Sequence, residues 1–124
     1  MKYLGVDWGL RRIGLAISDG ELAVPFKVIE GSSFFDLLEK IKKEALNFDK
    51  IVIGLPEGQM GKKVKKVVRN LKKVGLEVIE ADETLSTQHA NQRMLELNIP
   101  KKKRTANDAY SAAIILQGYI DEKI

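Results

Sequence analysis

The chain has 124 residues, of which 44% are hydrophobic and 31% are charged, and its formal net charge is +4. This length predicts a single domain, residues 1–124, with enough chain to bury one hydrophobic core. The sequence has no cysteine and only one histidine, which excludes disulfides and thiolate metal sites and argues against zinc or Ser-His-Asp chemistry. It has neither a signal-peptide core nor an apolar run of membrane-spanning length, so we expect a cytoplasmic protein with no membrane partner.

The first thirty residues predict three short strands. Residues 2–8 and 12–18 carry the alternating apolar pattern of strands, with a turn at Gly9 between them, and residues 25–30 form a third strand. Short consecutive strands with tight connections predict an antiparallel meander. Trp8, at the end of the first strand, is expected to pack in the core or at its rim rather than to stack on a base.

The hydrophobic pattern then changes to a helical period. Residues 34–45 predict a first helix behind Ser33 as its N-cap, and residues 62–74 predict a second helix that ends at Gly75. Two further helices are predicted over residues 82–97 and 105–120, and two buried strands over residues 50–55 and 76–81. This order predicts an α/β fold in which a mixed five-stranded sheet, three antiparallel strands followed by parallel strands, is flanked by helices.

Two stretches of the chain concentrate positive charge. No acidic residue lies between Glu57 and Glu77, and a second basic cluster, residues 101–104, includes Lys103 and Arg104. The first stretch carries Lys62, Lys63, Lys65, Lys66, Arg69, Lys72 and Lys73. These clusters indicate either a polyanionic partner such as nucleic acid or an ordinary solvated surface.

Four carboxylates fall at the ends of predicted elements. Asp7 lies near the end of the first strand, Asp82 and Glu83 follow the fifth strand, and Asp108 lies in the first turn of the last helix. Open α/β sheets place ligand sites at the carboxyl ends of their strands, so these side chains are expected to converge. Converging carboxylates favour Mg²⁺ or Mn²⁺, and two such ions support phosphodiester hydrolysis. Separate structural roles, a turn at Asp7 and helix caps at the other positions, are the alternative.

Two further features favour a phosphate-handling site. Gly9 and Gly14 are expected to let a phosphate approach the backbone, with Arg11 and Arg12 as charged donors. The glycine-rich segment 54–61 leads into the basic helix, an arrangement that suits an anion, although the segment lacks the Gly-Lys-Ser/Thr ending of a P-loop.

Four blocks of the sequence, in order and over nearly the whole chain, resemble the YqgF/RuvX family. The blocks are residues 6–19 (VDWGLRRIGLAISD), Gly54-Leu55-Pro56 with Gly61, residues 82–87 (DETLST), and Asp108 followed by residues 112–116 (AAIIL). The resemblance implies an RNase H-like fold and a nuclease activity linked to maturation of the 5′ end of pre-16S ribosomal RNA. It also implies metal-binding catalytic roles for Asp7, Glu83 and Asp108.

The sequence departs from the family pattern at two positions. Thr84 stands where the family usually has an arginine, so the resemblance implies another phosphate donor, Arg11, Arg12 or Lys103. Glu57 adds a negative charge to the glycine-rich loop, which is also shorter than is usual in the family.

Together, the residues and the resemblance predict an endonuclease that cleaves structured RNA, with Mg²⁺ or Mn²⁺ held by Asp7, Glu83, Asp108 and Asp82. The resemblance implies pre-16S rRNA as the substrate. The alternatives are a Holliday junction resolvase acting on four-way DNA and a non-catalytic RNA-binding factor in ribosome biogenesis or transcription; half of an actin-like kinase ranks lower. We expect a monomer or a weak homodimer. The expected nucleic-acid contacts are Arg11, Arg12, Lys62, Lys65, Lys66, Arg69, Lys103 and Arg104.

Overall fold

The computed structural model describes residues 1–9, 11–56, 58–82 and 108–123, apart from the side chains of Asp82 and Lys123. The elements, in chain order, are β1 (Tyr3–Trp8), β2 (Arg12–Ser18), β3 (Val24–Glu30), α1 (Phe34–Ala45), β4 (Lys50–Leu55), α2 (Gln59–Lys73), β5 (Glu77–Asp82) and α3 (Asp108–Lys123). In this part of the chain, no helix has the length and apolar character needed to cross a membrane.

The five strands form one mixed sheet in the order β3-β2-β1-β4-β5. Strands β1, β2 and β3 pair antiparallel, whereas β4 pairs parallel with both β1 and β5. The predicted meander and mixed sheet are therefore confirmed. Because parallel neighbours need a crossover, α2 carries the chain from β4 to β5 over one face of the sheet.

Helix α1 begins and ends at the predicted residues, and a side-chain cap stabilises its first turn. The Ser33 Oγ accepts a hydrogen bond from the backbone N–H of Asp36 at 3.1 Å. The Asp36 carboxylate in turn accepts one from the backbone N–H of Ser32 at 3.0 Å. This backbone hydrogen bond, followed by the contact with Lys40, lowers the pKa of the Asp36 carboxyl below its ordinary value.

Helix α2 begins three residues earlier than the sequence predicts, at Gln59. Gly61 lies in its first turn, where an added Cβ would come within 2.4 Å of the Pro56 carbonyl oxygen. The glycine therefore lets the chain just after β4 pack against the first turn of α2. The sequence alone predicts this first turn as part of a loop. Helix α2 ends at Lys73, one residue before the predicted end, and the predicted glycine stop is confirmed. Gly75 has a φ of +89° and donates its N–H to the Lys72 carbonyl at 3.0 Å.

The predicted third helix, residues 82–97, lies outside the described residues except for Asp82, which belongs to β5 rather than to a helix. The last predicted helix is present as α3, which continues to Lys123. Its first predicted residues, 105–107, and the lysine run at residues 101–104 also lie outside the described part.

The sheet separates two hydrophobic cores. One face carries large aliphatic side chains that pack against α1 and α2, among them Leu4, Val6, Ile13, Leu15, Ile51 and Ile53. The other face carries smaller residues, including Ala16, Val52 and Ala81, and packs against α3. Because side chains alternate along a strand, Gly5 and Asp7 of β1 lie on the α3 face.

Candidate active site

A cleft of about 550 Å³ lies where β1 ends, and five parts of the fold contribute to its lining. They are the end of β1, the β1–β2 turn, the start of β2, the end of β3 and the first residue of α3. The lining residues are Asp7, Gly9, Arg11, Arg12, Glu30 and Asp108. The cleft therefore holds three carboxylates and two guanidinium groups, a mixture suited to a phosphodiester and a cation.

Asp7 is held by the strand from which it projects. It is the second-last residue of β1, half-buried, and pairs in register with Gly14 of β2. Its neighbours Val6 and Trp8 are buried on the opposite face, and the Trp8 ring packs on Phe34 at 5.6 Å between ring centroids. The core position expected for Trp8 is confirmed, and this packing leaves Asp7 directed to the α3 side.

Gly14 brings Asp108 to the same place. A Cβ added at Gly14 would lie 1.9 Å from the Asp108 carbonyl oxygen, so only glycine allows α3 to start on this strand. Because Gly14 pairs with Asp7, this contact sets the first residue of α3 beside the Asp7 position. The expectation that Gly14 admits a phosphate is wrong, since α3 occupies that space. Gly9, by contrast, does line the cleft.

An ion pair holds the Asp108 carboxylate at the mouth of the cleft. The Arg12 Nε lies 3.1 Å from the Asp108 Oδ2, with 60% of the Arg12 side chain and 40% of the Asp108 side chain exposed. An ion pair this exposed contributes about 1 kcal/mol or less, because water and salt screen it. The pair can therefore orient the carboxylate and still give way to a stronger ligand of either partner.

Glu30 is the lining residue that sequence reasoning did not single out. It is exposed at the end of β3 and pairs in register with Arg12. An acid at the end of an edge strand looks like ordinary surface in the sequence. Only the pairing of β2 with β3 brings it to the cleft.

The two site carboxylates that sequence reasoning predicted and the structure describes, Asp7 and Asp108, suit a hard divalent cation. Proteins commonly hold Mg²⁺ with one or two carboxylates, and water and substrate phosphate complete its shell. Across residues 1–9, 11–56, 58–82 and 108–123, no group of three or more potential ligands is arranged to hold a metal ion. Glu83 and the side chain of Asp82 lie outside what the structure describes.

The predicted nucleic-acid contacts fall into three groups. Arg11 and Arg12 line the cleft. Lys103 and Arg104 lie outside the described residues. The remaining four line a second groove, on α2: Lys62, Lys65, Lys66 and Arg69.

Comparison with known families and sequences gives a consistent result. The chain matches the family model described as "RuvX: Holliday junction resolvase" over residues 1–122. A protein of Bacillus cereus (strain B4264) is 35% identical over 138 aligned residues, and one of Bacillus cytotoxicus is 37% identical. Each alignment covers 99% of this chain and 100% of the relative, and both relatives are named "Putative pre-16S rRNA nuclease".

Several solved structures resemble the fold, among them the following two. T. thermophilus RuvC in complex with Holliday junction substrate has a TM-score of 0.65 at 15% identity, covering 99% of this chain and 95% of that chain. The fowlpox virus Holliday junction resolvase has a TM-score of 0.66 at 11% identity, covering 100% of both chains. At such low identity the likeness concerns the fold, and the RNase H-like fold implied by the sequence is confirmed.

Proposed function

The chain belongs to the RuvX family, and from this premise we propose that it is a metal-dependent endonuclease that hydrolyses phosphodiester bonds in structured RNA. The precursor of 16S rRNA is the favoured substrate, since the full-length relatives carry that name. The observation that supports this proposal most directly is the cleft in which Asp7 and Asp108 meet Arg11 and Arg12. We expect the chain to act in the cytoplasm, as a monomer or a weak homodimer.

The carboxylates have the task of holding the cofactor. Asp7 and Asp108 would bind Mg²⁺ or Mn²⁺ in the cleft, with Glu83 and Asp82 as the further proposed ligands. When bound, the ion supplies Lewis-acid stabilisation of the charge that develops on the phosphate oxygens. Asp7 is half-buried on a central strand, so its carboxylate reaches the cleft with little freedom to move away.

The guanidinium groups have the task of orienting the phosphate. Arg11 and Arg12 are exposed at the cleft and can donate charge-assisted hydrogen bonds to its oxygens. Arg12 already lies against Asp108, so its guanidinium would remain close to the carboxylate that would hold the ion and could donate to a phosphate oxygen there. Loss of the existing pair would cost little free energy because the pair is solvent-exposed.

An Asp7→Asn variant tests the catalytic role. The substrates are an RNA stem–loop with a single-stranded 5′ flank and a four-way DNA junction, each with Mg²⁺ and with Mn²⁺. We expect the wild type to cleave the RNA and the variant to lose activity by roughly 10²-fold or more, because metal stabilisation is worth several kcal/mol. Asp49→Asn is the matched control. Asp49 is exposed just before β4, at the end of the sheet opposite the cleft. Its carboxylate accepts a hydrogen bond from the Lys2 N–H at 2.7 Å, which an asparagine oxygen can also accept.

The other outcomes separate the alternatives. Preferential cleavage of the four-way junction would assign a resolvase, as the family description suggests. RNA binding without cleavage in either metal, together with an Asp7→Asn variant that still supports ribosome maturation in cells, would assign a non-catalytic factor. Retention of full nuclease activity by Asp7→Asn would reject the proposed active site.

A further inference from the structure

Helix α2 carries far more positive charge than its packing requires. It has seven cations and no acid over Gln59–Lys73, more than the formal net charge of the whole chain. The cations recur at helical spacing and all are exposed, opposite the buried Val64, Val67, Val68 and Leu71. Like charges one helical turn apart repel one another and destabilise a helix. This stripe of cations therefore lowers the stability of the helix that bears it.

The stripe lines a groove of its own. A groove of about 450 Å³ between α2 and β5 is bounded by five cations, one valine and a single acid. The lining residues are Lys62, Lys65, Lys66, Val68, Arg69, Lys72 and Glu80. Within the described residues, none of the ion pairs includes a cation of α2. Five cations facing one carboxylate produce a strongly positive surface that suits a row of phosphates.

This groove and the candidate active site lie on opposite faces of the sheet. The buried side of α2 packs in the core that contains Leu4 and Ile53, whereas α3, which begins at Asp108, packs in the other core. Asp7 lies on the α3 face, and no residue lines both the cleft and the groove. The edge that connects them is the one where the parallel strands end, because α2 begins a few residues after β4 ends.

We propose that the α2–β5 groove is a second nucleic-acid backbone site, and that it selects a substrate that bends around this edge of the sheet. The inference rests on the proposed function and specifies the substrate shape. Lys62 and Lys72 are ten residues apart, which is roughly 15 Å along a helix. That length matches about four phosphates of one strand. A straight duplex held in the cleft on one face cannot also lie along a groove on the other, whereas a folded or branched nucleic acid can.

The test compares two triple variants that remove the same charge. The groove variant is Lys65→Gln, Lys66→Gln and Arg69→Gln. The control is Lys40→Gln, Lys42→Gln and Lys43→Gln in α1, which packs on the same face. Lys40 donates to the backbone carbonyl of Glu30 at 2.7 Å, and glutamine keeps an N–H donor at this position. Glutamine is used because it maintains helix propensity. The substrates are a stem–loop RNA with a single-stranded flank, its DNA equivalent, a straight duplex, and a single-stranded tetranucleotide. The tetranucleotide is too short to reach from the cleft to the groove.

For the stem–loop RNA, we expect the groove variant to bind with a salt dependence whose slope is lower by about 2–3, the change for three lost phosphate contacts. KM for the stem–loop should rise about tenfold or more at moderate salt, with kcat and tetranucleotide cleavage unchanged. The α1 control should behave as the wild type. A groove variant that matches the wild type on the stem–loop, or that loses equally on stem–loop and tetranucleotide, overturns the proposal.

Two further measurements test the groove and the bend separately. Glu80→Gln removes the acid of the groove and should tighten stem–loop binding, the opposite sign to the triple variant; weaker binding would reject the groove. The wild type should bind the stem–loop, which can bend where its flank joins the stem, more tightly than the straight duplex. The groove variant should bind the two with similar affinity. Equal affinity of the wild type for both shapes overturns the bend. Binding data remain decisive if no substrate is cleaved, so failure of the nuclease proposal is distinguishable.

Discussion

Glycines allow a helix to pack closely on one face of the sheet, whereas large aliphatic side chains fill the core on the other face. The face with the glycines is also the face that carries the candidate active site. On the α3 face the contact depends on missing side chains: a Cβ at Gly5 would lie 2.7 Å from the Leu116 Cβ, and one at Gly14 would overlap the Asp108 carbonyl. On the other face, α1 and α2 lie on bulky aliphatic side chains of the sheet such as Ile51 and Ile53. Backbone seated directly on backbone leaves little room for adjustment, so the face with the glycines can hold carboxylates in position.

The two helices that share the aliphatic face differ in turn. In α1 the charges neutralise one another: Lys40 pairs with Asp36 at 3.2 Å and Lys42 with Glu39 at 3.4 Å. A third acid of α1, Glu44, pairs with Lys27 of β3. Helix α2 also has a buried apolar stripe, but all of its charged residues are cations. Helix α1 packs on the same face of the sheet without an excess of positive charge. The cations of α2 are therefore not needed for packing and are available to bind a partner.

The largest expected effect on stability is at the aliphatic face. Leu71→Ala leaves a cavity beneath α2 and should lower the free energy of unfolding by about 2–5 kcal/mol. Denaturant unfolding gives the value. Well below the melting temperature the variant should cleave RNA at the wild-type kcat, because α3 rests on the other face. A kcat that falls together with the free energy of unfolding would show that the aliphatic face also positions the active site.

Gly14→Ala probes the glycine face. The added methyl meets the backbone of Asp108, and overpacking of this kind costs about 1–3 kcal/mol of unfolding free energy. We expect kcat to fall as well, because α3 must move away from Asp7. Ile13→Val, at the adjacent position facing the aliphatic core, serves as the control, with a loss of about 0.5–1.5 kcal/mol and unchanged kcat. Wild-type activity in Gly14→Ala would contradict the positioning role of the glycine.

The two triple variants, each of which removes three positive charges, should shift the free energy of unfolding in opposite directions. Replacing Lys65, Lys66 and Arg69 by glutamine relieves like-charge pairs and should stabilise the protein by a few tenths of a kcal/mol. The α1 control loses its ion pairs and should be destabilised by a similar amount. Thermal melts at low salt and at about 1 M salt, where screening is strong, measure both. If both variants shift the melting temperature in the same direction, the cations of α2 do not repel one another as proposed.

The smallest effect concerns Asp36 at the start of α1. Its pKa is lowered in the folded protein, chiefly by the Ser32 backbone N–H and then by Lys40, so its charged form stabilises the fold. This contribution is present above the ordinary carboxyl pKa and is lost as the pH falls through the folded value. Asp36→Asn should therefore be slightly less stable than the wild type at neutral pH, and the two should converge in acid. A constant difference across this range would assign the effect to something other than ionisation.

The sequence was sufficient where the signal is local. Strands β2 and β4 and helix α1 have the predicted bounds, because apolar alternation, a buried run and the Ser33 cap act over a few neighbouring residues. The start of α2 was predicted three residues late, since Gly61 looks like loop until Pro56 is seen packed against it. Resemblance to a family named Asp7 and Asp108, which line one cleft; their catalytic roles stay predictions.

By itself, then, the amino-acid sequence determined which elements form in the part of the chain that the structure describes, the family, and the concentration of cations in one helix. The folded chain decided which residues meet: Asp108 over Gly14, Arg12 against Asp108, Glu30 in the cleft, and two charged surfaces on opposite faces of one sheet. Periodicity and caps are properties of adjacent residues and can be read along the chain. Contacts between residues nearly a whole chain apart depend on strand order and on how closely a helix can approach, which only three-dimensional packing sets.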